Sequence, residues 1–254
     1  VLLGFIVPTV HLAWLASASG ATLIDPRFLA DATNSLLLAA GAAAIIVALA
    51  LFLSYAGRLV RRRSFNRVIA FASLGYAIPG AVIAVGVLLP LALADHGIDW
   101  LARGLFGLPL GLVLSGTAVA LLLAYTVRFL AVGMANVAPA LAAIDPAMDA
   151  SARILGATPR EVLRYVHLPM LRAPALTAAA VAFVEVMKEL PATLLIRPFN
   201  LDTLAIGVYR FASDERLAQA AVGAIVIVVV SMAPVIVLCR AIDRSGTTSS
   251  PRGP

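Results

Sequence analysis

The chain has 254 residues, of which 62% are hydrophobic and only 13% are charged, and its mean hydropathy is +1.01. Soluble domains average about 25% charged residues, so this composition excludes an ordinary soluble protein and predicts a lipid bilayer as the solvent. Lys and Arg outnumber Asp and Glu by 19 to 13; in a membrane protein this surplus indicates topology and gives no reason to expect a nucleic-acid partner. The single cysteine, Cys239, excludes an internal disulfide and a cysteine-based metal cluster.

Six stretches have the apolar character of a transmembrane helix, which needs about 20 residues. They are predicted as helices because lipid offers no hydrogen bonds and the alternation of a barrel strand, over about ten residues, is absent. The stretches are 1–18, 35–55, 68–94, 110–130, 173–196 and 217–239. The sequence therefore predicts an all-α integral membrane protein over 1–244, with about six spans and a disordered tail at 245–254. The apolar start at Val1, without a methionine, predicts either a fragment or a processed start.

The arginines are distributed unevenly between the two predicted sides. Thirteen fall in the loop AGRLVRRRSFNR, between Arg128 and Arg172, and in the tail after Cys239, against five on the other side. The positive-inside rule places the arginine-rich loops and the C-terminus in the cytoplasm.

The charged segment 145–170, between the fourth and fifth stretches, carries the caps of two short helices. Asp145 followed by proline predicts the start of the first helix, and Gly156 its left-handed end. Thr158 and Glu161 form the sequence pattern of a capping box for the second helix. Pro169 predicts the end of that helix, because the residue before a proline is pushed out of the α region. Such a helix–turn–helix is suited to docking onto another protein; a capped connecting loop without a partner is the alternative.

This segment resembles the signature loop of ABC-importer permeases, E-A-A-x-x-x-G followed after nine residues by I-x-L-P. Gly156 and the run Val166-His167-Leu168-Pro169 match it in spacing and type. Alanine stands where the family has its glutamate, and an aspartate one residue earlier can supply the acid. The resemblance implies that 145–170 is a coupling loop, and that its segment Met148–Leu171 docks onto a cytoplasmic ATPase. The implied loop residues are Asp149, Ala150, Ser151, Ala152, Gly156, Val166, Leu168 and Pro169.

The resemblance extends through most of the chain. FASLGYAIPGAVIAVGVLLPL and VEVMKELPATLLIRPFNLDTLAIGVYRFASDERLAQAA are similar to the ferric-iron branch, more narrowly to the second half of its double-length permeases. This implies an inner-membrane importer subunit that carries ferric iron; permeases for thiamine, phosphonates, polyamines or sulfate are the alternatives. The implied partners are ATPase subunits that bind the ATP, a second permease half or copy, and a substrate-binding protein. No G-x-x-x-x-G-K-[ST] motif occurs, so we expect a non-catalytic subunit without a bound cofactor.

Three charged residues, Glu185, Lys188 and Glu189, lie within the fifth stretch and are predicted to share one helical face. Glu185 and Lys188 are spaced for an i, i+3 ion pair, and Pro191 predicts a kink or a helix end just above Met187. Either these groups line the translocation pathway or they form a structural ion pair, and the sequence favours neither. No stable metal site is expected, because a transporter must release its cargo. The same charges also suit an ion-coupled secondary transporter, which would have no need of the coupling loop; a structural scaffold would explain neither feature.

Other polar residues support weaker predictions. We expect a packed or interfacial His11, a solvated external loop around His96, and a loop-filling role for His167. The loop around His96 would also contain Asp95 and Asp99. A kink is predicted in the third helix, at Tyr76, Pro79 and Gly80.

Overall fold

The computed structural model describes residues 2–18, 25–60 and 63–246, and within these ranges the secondary structure is helical, with no strand. Short π-helical turns occur at Leu2–Ile6 and Leu163–His167, and a 3-10 turn occurs at Ser73–Ala77. The α-helices are α1 (Val7–Ser17), α2 (Pro26–Val60), α3 (Arg63–Ala72), α4 (Gly80–Phe106), α5 (Ala118–Ala142), α6 (Pro146–Ile154), α7 (Pro159–Val162), α8 (Leu168–Met170), α9 (Arg172–Met187), α10 (Pro191–Ile196), α11 (Leu204–Ser213) and α12 (Leu217–Gly246). Of the predicted tail, residues 247–254 lie outside the described part of the chain, as do Arg61, Arg62 and Val1.

The core lies where α2, α5 and α9 pack against one another. Small side chains allow this close packing: a Cβ added to Gly133 of α5 would lie only 2.8 Å from Ile46 Cγ2 and 3.1 Å from Ala50 Cβ of α2. Helix α4 packs on α5 and α10, while α12 packs on α9, α11 and α1. Helix α2 is therefore central, with α4 and α12 on the outside of the bundle.

Four described helices are long and apolar enough to cross a membrane: Pro26–Val60, Gly80–Phe106, Ala118–Ala142 and Leu217–Arg240. A fifth crossing is possible if Pro159–Met170 and Arg172–Met187, which meet at a bend of 67°, count as one span. The apolar helix Leu3–Ser17, within the first predicted stretch, is shorter than a full span. The all-helical membrane fold is confirmed, and the number of described spans falls below the six predicted.

The third and fourth helices lie further along the chain than the sequence suggested. A break at Ile78 and Pro79 separates the Ser73–Ala77 turn from α4, because the residue before a proline adopts an extended backbone. The predicted kink at this point is therefore a complete break, and the helix runs from Gly80 to Phe106 instead of over 68–94. The fourth helix likewise begins at Ala118, eight residues after the start of the predicted stretch 110–130.

Two aspartates of α4 explain why the apolar residues before α5 are not helical. Asp95 accepts hydrogen bonds from the backbone N–H groups of residues 113, 114 and 115 at 2.7–3.0 Å. Asp99 accepts from those of Leu110 and Gly111 at 2.8 and 3.0 Å. The prediction of a solvated loop is wrong, because Asp95, His96 and Asp99 all lie within α4, and Asp95 is only 1% exposed. Both carboxylates satisfy backbone donors that a helix would otherwise have used.

Candidate functional site

The first half of the 145–170 loop has the predicted caps. The Asp145 carboxylate accepts a hydrogen bond from the Ala147 backbone N–H at 2.8 Å, and Pro146 begins α6. The helix ends before Gly156, whose φ of +85° is in the left-handed region that favours glycine. A Cβ at this position would meet nothing within 4 Å, so the position requires glycine for its backbone conformation and not for space.

The second half begins with the predicted capping box. The Glu161 carboxylate accepts from the Thr158 backbone N–H at 2.7 Å, and the Thr158 hydroxyl accepts from the Glu161 N–H at 3.4 Å. The hydrogen bonds from the Thr158 backbone and hydroxyl lower the pKa of Glu161. The two caps stabilise the starts of the loop's two helices.

The predicted end of the second helix at Leu168 and Pro169 is wrong. Leu168 has helical dihedrals of −59° and −42°, and the helical path continues to Met170 before it bends at Leu171. The π-helical turn Leu163–His167 explains this, because it shifts the hydrogen bonds by one residue and leaves room for a proline without a backbone N–H.

The motif residues differ in their exposure. Ala150, Ser151, Leu168 and Pro169 are exposed, whereas Ala152 and Val166 are half-buried. The most exposed apolar side chains of the loop occupy variable positions of the motif: Ile154 and Leu155, at the tip beside Gly156, are 86% and 87% exposed. Sequence reasoning missed both, although two large apolar residues before a chain-reversing glycine were a visible signal.

Asp149 points inward and holds the loop to the end of α2. Its carboxylate lies 3.0 Å from Arg58 Nε and 2.7 Å from His167 Nε2, and the three side chains are 15%, 13% and 1% exposed. Burial by itself raises the pKa of Asp149, but the hydrogen bonds from Arg58 and His167 outweigh it and lower the pKa below 3.8. The carboxylate is therefore ionised and committed to partners within this chain.

Arg58 and Tyr55 complete this attachment. Arg58 also donates to the carbonyl oxygens of Leu141 and Ile144 at 2.7 and 3.0 Å, which satisfies acceptors at the end of α5. The Tyr55 hydroxyl donates to the Pro159 carbonyl at 2.7 Å, and its ring packs edge-on against His167. We call Tyr55, Arg58, Asp149 and His167 the anchor cluster. Sequence reasoning treated Arg58 only as a topology charge and His167 as loop filler, since no local pattern reports contacts across 91 residues.

The predicted ion pair between Glu185 and Lys188 is confirmed, with 2.8 Å between Lys188 Nζ and Glu185 Oε1. The prediction that Glu189 shares their face is wrong. Helix α9 ends at Met187, before Pro191, so the chain turns; Lys188 becomes 57% exposed at its side chain while that of Glu189 is 5% exposed. Glu189 instead lies 3.1 Å from Arg128 Nε and also accepts from the Ala192 N–H at 3.1 Å. Each glutamate is thus paired with a different basic side chain, Glu185 with Lys188 and Glu189 with Arg128.

Arg128 joins the two helix breaks of the bundle. Besides its contact with Glu189 at the α9–α10 break, it donates to the Ile78 carbonyl at the break before α4, at 3.0 Å. A Cβ added to Gly80 would lie 2.5 Å from the Glu189 carboxylate and 2.9 Å from Arg128 Nη1. These contacts satisfy backbone groups that lipid would leave unpaired. Arg128 lies inside α5, so its assignment to an arginine-rich loop was wrong.

No group of three or more His, Cys, Asp or Glu side chains suited to a metal ion occurs among the described residues. The two glutamates near the α9–α10 break do not form a shared carboxylate site, because their partners differ. The geometry provides a capped loop with an apolar tip that is attached to the core helix α2, together with a buried ion pair that links two helix breaks.

Comparison with known families then identifies the chain. The model of the family "Binding-protein-dependent transport system inner membrane component" matches residues 54–245, which include the whole 145–170 loop. The chain belongs to this family. It is therefore a multi-pass inner-membrane transport component of the binding-protein-dependent ABC importer type, and the resemblance noted in the sequence is confirmed.

Two curated relatives of this permease have different cargoes in their names. The chain is 29% identical over 214 residues to the Fe(3+)-transport system permease protein FbpB 2 of Haemophilus influenzae, which covers 84% of this chain and 39% of that protein. It is 28% identical over 204 residues to PhnV of Salmonella typhimurium, named for 2-aminoethylphosphonate transport, covering 72% of this chain and 77% of that protein. The permease thus spans well under half the length of its iron-transport relative.

Two solved structures share the fold at low sequence identity. One is a bacterial ABC transporter involved in the import of the acidic polysaccharide alginate, with a TM-score of 0.72 and 17% identity, covering 96% of this chain and 91% of that one. The other is a bacterial alginate ABC transporter in complex with an alginate pentasaccharide-bound periplasmic protein, with a TM-score of 0.74, 16% identity, and 93% and 88% coverage. Both show the permease fold over nearly the whole chain.

Proposed function

We propose that this permease is the membrane-spanning subunit of an ATP-driven importer and that its 145–170 loop docks onto a cytoplasmic ATPase. One observation carries the proposal: Ile154 and Leu155 expose an apolar tip on a loop that is capped at both helix starts. Large exposed apolar side chains on a rigid element are typical of a protein contact. Because the anchor cluster bonds the loop to the end of α2, a displacement of the loop would also displace that end of α2.

The partners follow from this role. ATP would bind to the ATPase subunits and not to this chain, a second permease half or copy would complete the pathway, and a binding protein would deliver the cargo on the opposite face. The alginate transporter captured with its periplasmic protein supports the last of these, since its permease shares this fold. In this arrangement the loop and the C-terminus are cytoplasmic, while α11 and the start of α12 face outward.

For the cargo we propose ferric iron. The relative named for Fe(3+) transport matches over 84% of this chain. Iron would cross without a fixed protein site, which agrees with the separate partners of Glu185 and Glu189. A second candidate is 2-aminoethylphosphonate, because the chain covers 77% of the PhnV protein.

The test is uptake into proteoliposomes that contain the complete transporter, with its binding protein outside and ATP inside. We expect accumulation of radioactive ferric iron that requires ATP and is not competed by 2-aminoethylphosphonate. ATP-dependent uptake of 2-aminoethylphosphonate without uptake of iron would show that the cargo is the phosphonate, and the proposed role as an importer subunit would stand. Uptake driven by an ion gradient without ATP would contradict the proposed function and favour a secondary transporter.

A further inference from the structure

Helix α2 is bonded through side chains at both of its ends. At one end the anchor cluster attaches it to the 145–170 loop. Near the other end Asn34 Nδ2 donates to the Asp202 carbonyl at 3.0 Å, and the Ser35 hydroxyl accepts from the Leu204 backbone N–H at 2.8 Å. Leu204 is the first residue of α11, so Ser35 satisfies a donor that the start of that helix leaves free.

The structure also indicates that α2 can transmit a displacement along its length. It is a continuous 35-residue helix, and its sequence contains no proline after Pro26. The other three long helices each contain an internal proline, at Pro90, Pro139 and Pro234. Along the chain itself, the helical path that leads out of the loop through α9 is interrupted twice, at the bend at Leu171 and at the break after Met187. From Asn34 to Arg58 the helix spans about 36 Å at 1.5 Å per residue.

What lies at the far end of α2 is a polar cleft of ≈ 710 Å³. Asp31 of α2 forms one wall, Arg210 of α11 another, and Arg216, just before α12, a third. Asp202, which holds Arg197 and Arg210, lies in the segment that Asn34 and Ser35 fix to α2. A movement of α2 therefore moves one wall of this cleft together with the start of α11.

We propose that α2 couples the 145–170 loop to this cleft and that Asn34 and Ser35 are the positioning residues at its far end. The inference rests on the proposed function, since it takes the loop as the place where ATP-driven motion enters. When the loop is displaced, the anchor cluster moves α2, and Asn34 and Ser35 carry α11 with it. The cleft then changes its accessibility in step with the ATPase.

The experiment measures the accessibility of the cleft by labelling a cysteine placed in its wall. Val208 lines it, so Val208→Cys in a Cys239→Ser background provides a single label for a charged maleimide. The complex is purified with its ATPase, reconstituted, and labelled with and without ATP and vanadate. We expect the labelling rate to change by about fivefold or more in the parent, the lower range of allosteric coupling. In Ser35→Ala and Asn34→Ala that change should shrink towards none, while basal ATP hydrolysis stays at the parent level.

Two variants control for a merely structural effect. Thr33→Ala removes a neighbouring hydroxyl whose hydrogen bond among the described residues stays within α2, to the Leu29 carbonyl at 2.8 Å, and should leave the response intact. Ser35→Thr keeps the hydroxyl and should restore it. A full response in Ser35→Ala, or an equal loss in Thr33→Ala, would overturn the role of α2. A parent that hydrolyses ATP and imports cargo without any change at the cleft would also overturn it and leave the proposed function standing.

Discussion

The two ion pairs beside the α9–α10 break differ in how far they are exposed at the surface of the protein. Arg128 and Glu189 are 20% and 5% exposed, whereas Lys188 of the other pair is 57% exposed. Removing one partner of a buried pair leaves an uncompensated charge, which costs about 3–5 kcal/mol. An ion pair exposed to water contributes no more than about 1 kcal/mol. The Arg128–Glu189 pair is therefore the structural one, and the Glu185–Lys188 pair is the one available for another role.

This difference predicts opposite outcomes for two matched substitutions. Glu189→Gln should lower the melting temperature of the purified permease clearly, because Arg128 loses its counter-charge. Glu185→Gln, the same chemical change four residues earlier, should leave the melting temperature near that of the parent. Equal melting temperatures for the two variants would show that burial of the pair does not govern stability.

The exposed pair then allows the pathway role to be tested without a large stability effect. If Glu185 contacts the moving cargo, the Glu185→Gln/Lys188→Met double variant should insert normally and still fail to transport. Uptake normalised to the amount of protein in the membrane is the measurement. Full uptake by the double variant would exclude an essential pathway role for Glu185.

Only part of this residue-scale picture could be predicted from the sequence. The Glu185–Lys188 pair follows from helical spacing, which is local information. The Arg128–Glu189 pair joins residues on different helices, and the face of Glu189 depends on where α9 ends. Asp149 was expected to meet a partner protein, yet the structure gives it Arg58 and His167, which helical spacing cannot bring together.

At the scale of elements, the turn of the 145–170 loop depends on one backbone conformation. A side chain at Gly156 would have free space but would have to adopt a φ of +85°, which costs about 1–2 kcal/mol for most residues. Gly156→Val should therefore insert normally and lose ATP-driven uptake, because the turn that presents the apolar tip is distorted. Gly156→Asn should retain most of the uptake, since asparagine tolerates the left-handed region. Normal uptake by a well-expressed Gly156→Val variant would contradict a docking role for the turn.

A second element, the Ser73–Ala77 turn, depends on close approach to α5. A Cβ added to Gly75 would lie 2.0 Å from the Val127 carbonyl oxygen, which is backbone and cannot rotate away. Gly75→Ala should therefore sharply reduce the yield of folded permease in detergent. Gly86→Ala is the matched control, because a Cβ there meets nothing within 4 Å. Equal yields of the two variants, measured by size-exclusion chromatography, would argue against this packing.

The elements show which signals in a sequence are reliable. Asp145, Gly156 and the Thr158–Glu161 box were predictable because a cap is chosen by its nearest neighbours. The start of α5 was not, because Asp95 binds backbone groups 18 to 20 residues away. The π-helical turn before Leu168 was equally hidden, since a sequence pattern does not report a shift in hydrogen-bond register.

For the whole molecule, composition alone predicted the all-α membrane fold, because only helices or closed barrels satisfy the backbone in lipid. The orientation is a further prediction that cysteine labelling can test. In a Cys239→Ser background, Asp214→Cys should react with an impermeant maleimide added from outside, and Arg160→Cys should not. Both positions are exposed, so a difference in labelling reports the side of the membrane. Labelling of position 160 from outside would reverse the orientation.

Retention of the ATPase by the affinity-tagged permease, purified from membranes that contain the complete transporter, tests the docking of the 145–170 loop most directly. We predict that Ile154→Asp/Leu155→Asp lowers retention by about tenfold or more, as expected when the centre of an interface is lost. Phe199→Asp places one such charge on a fully exposed apolar residue before α11 and should retain the ATPase like the parent. Undiminished retention by the Ile154→Asp/Leu155→Asp permease would contradict docking through this loop.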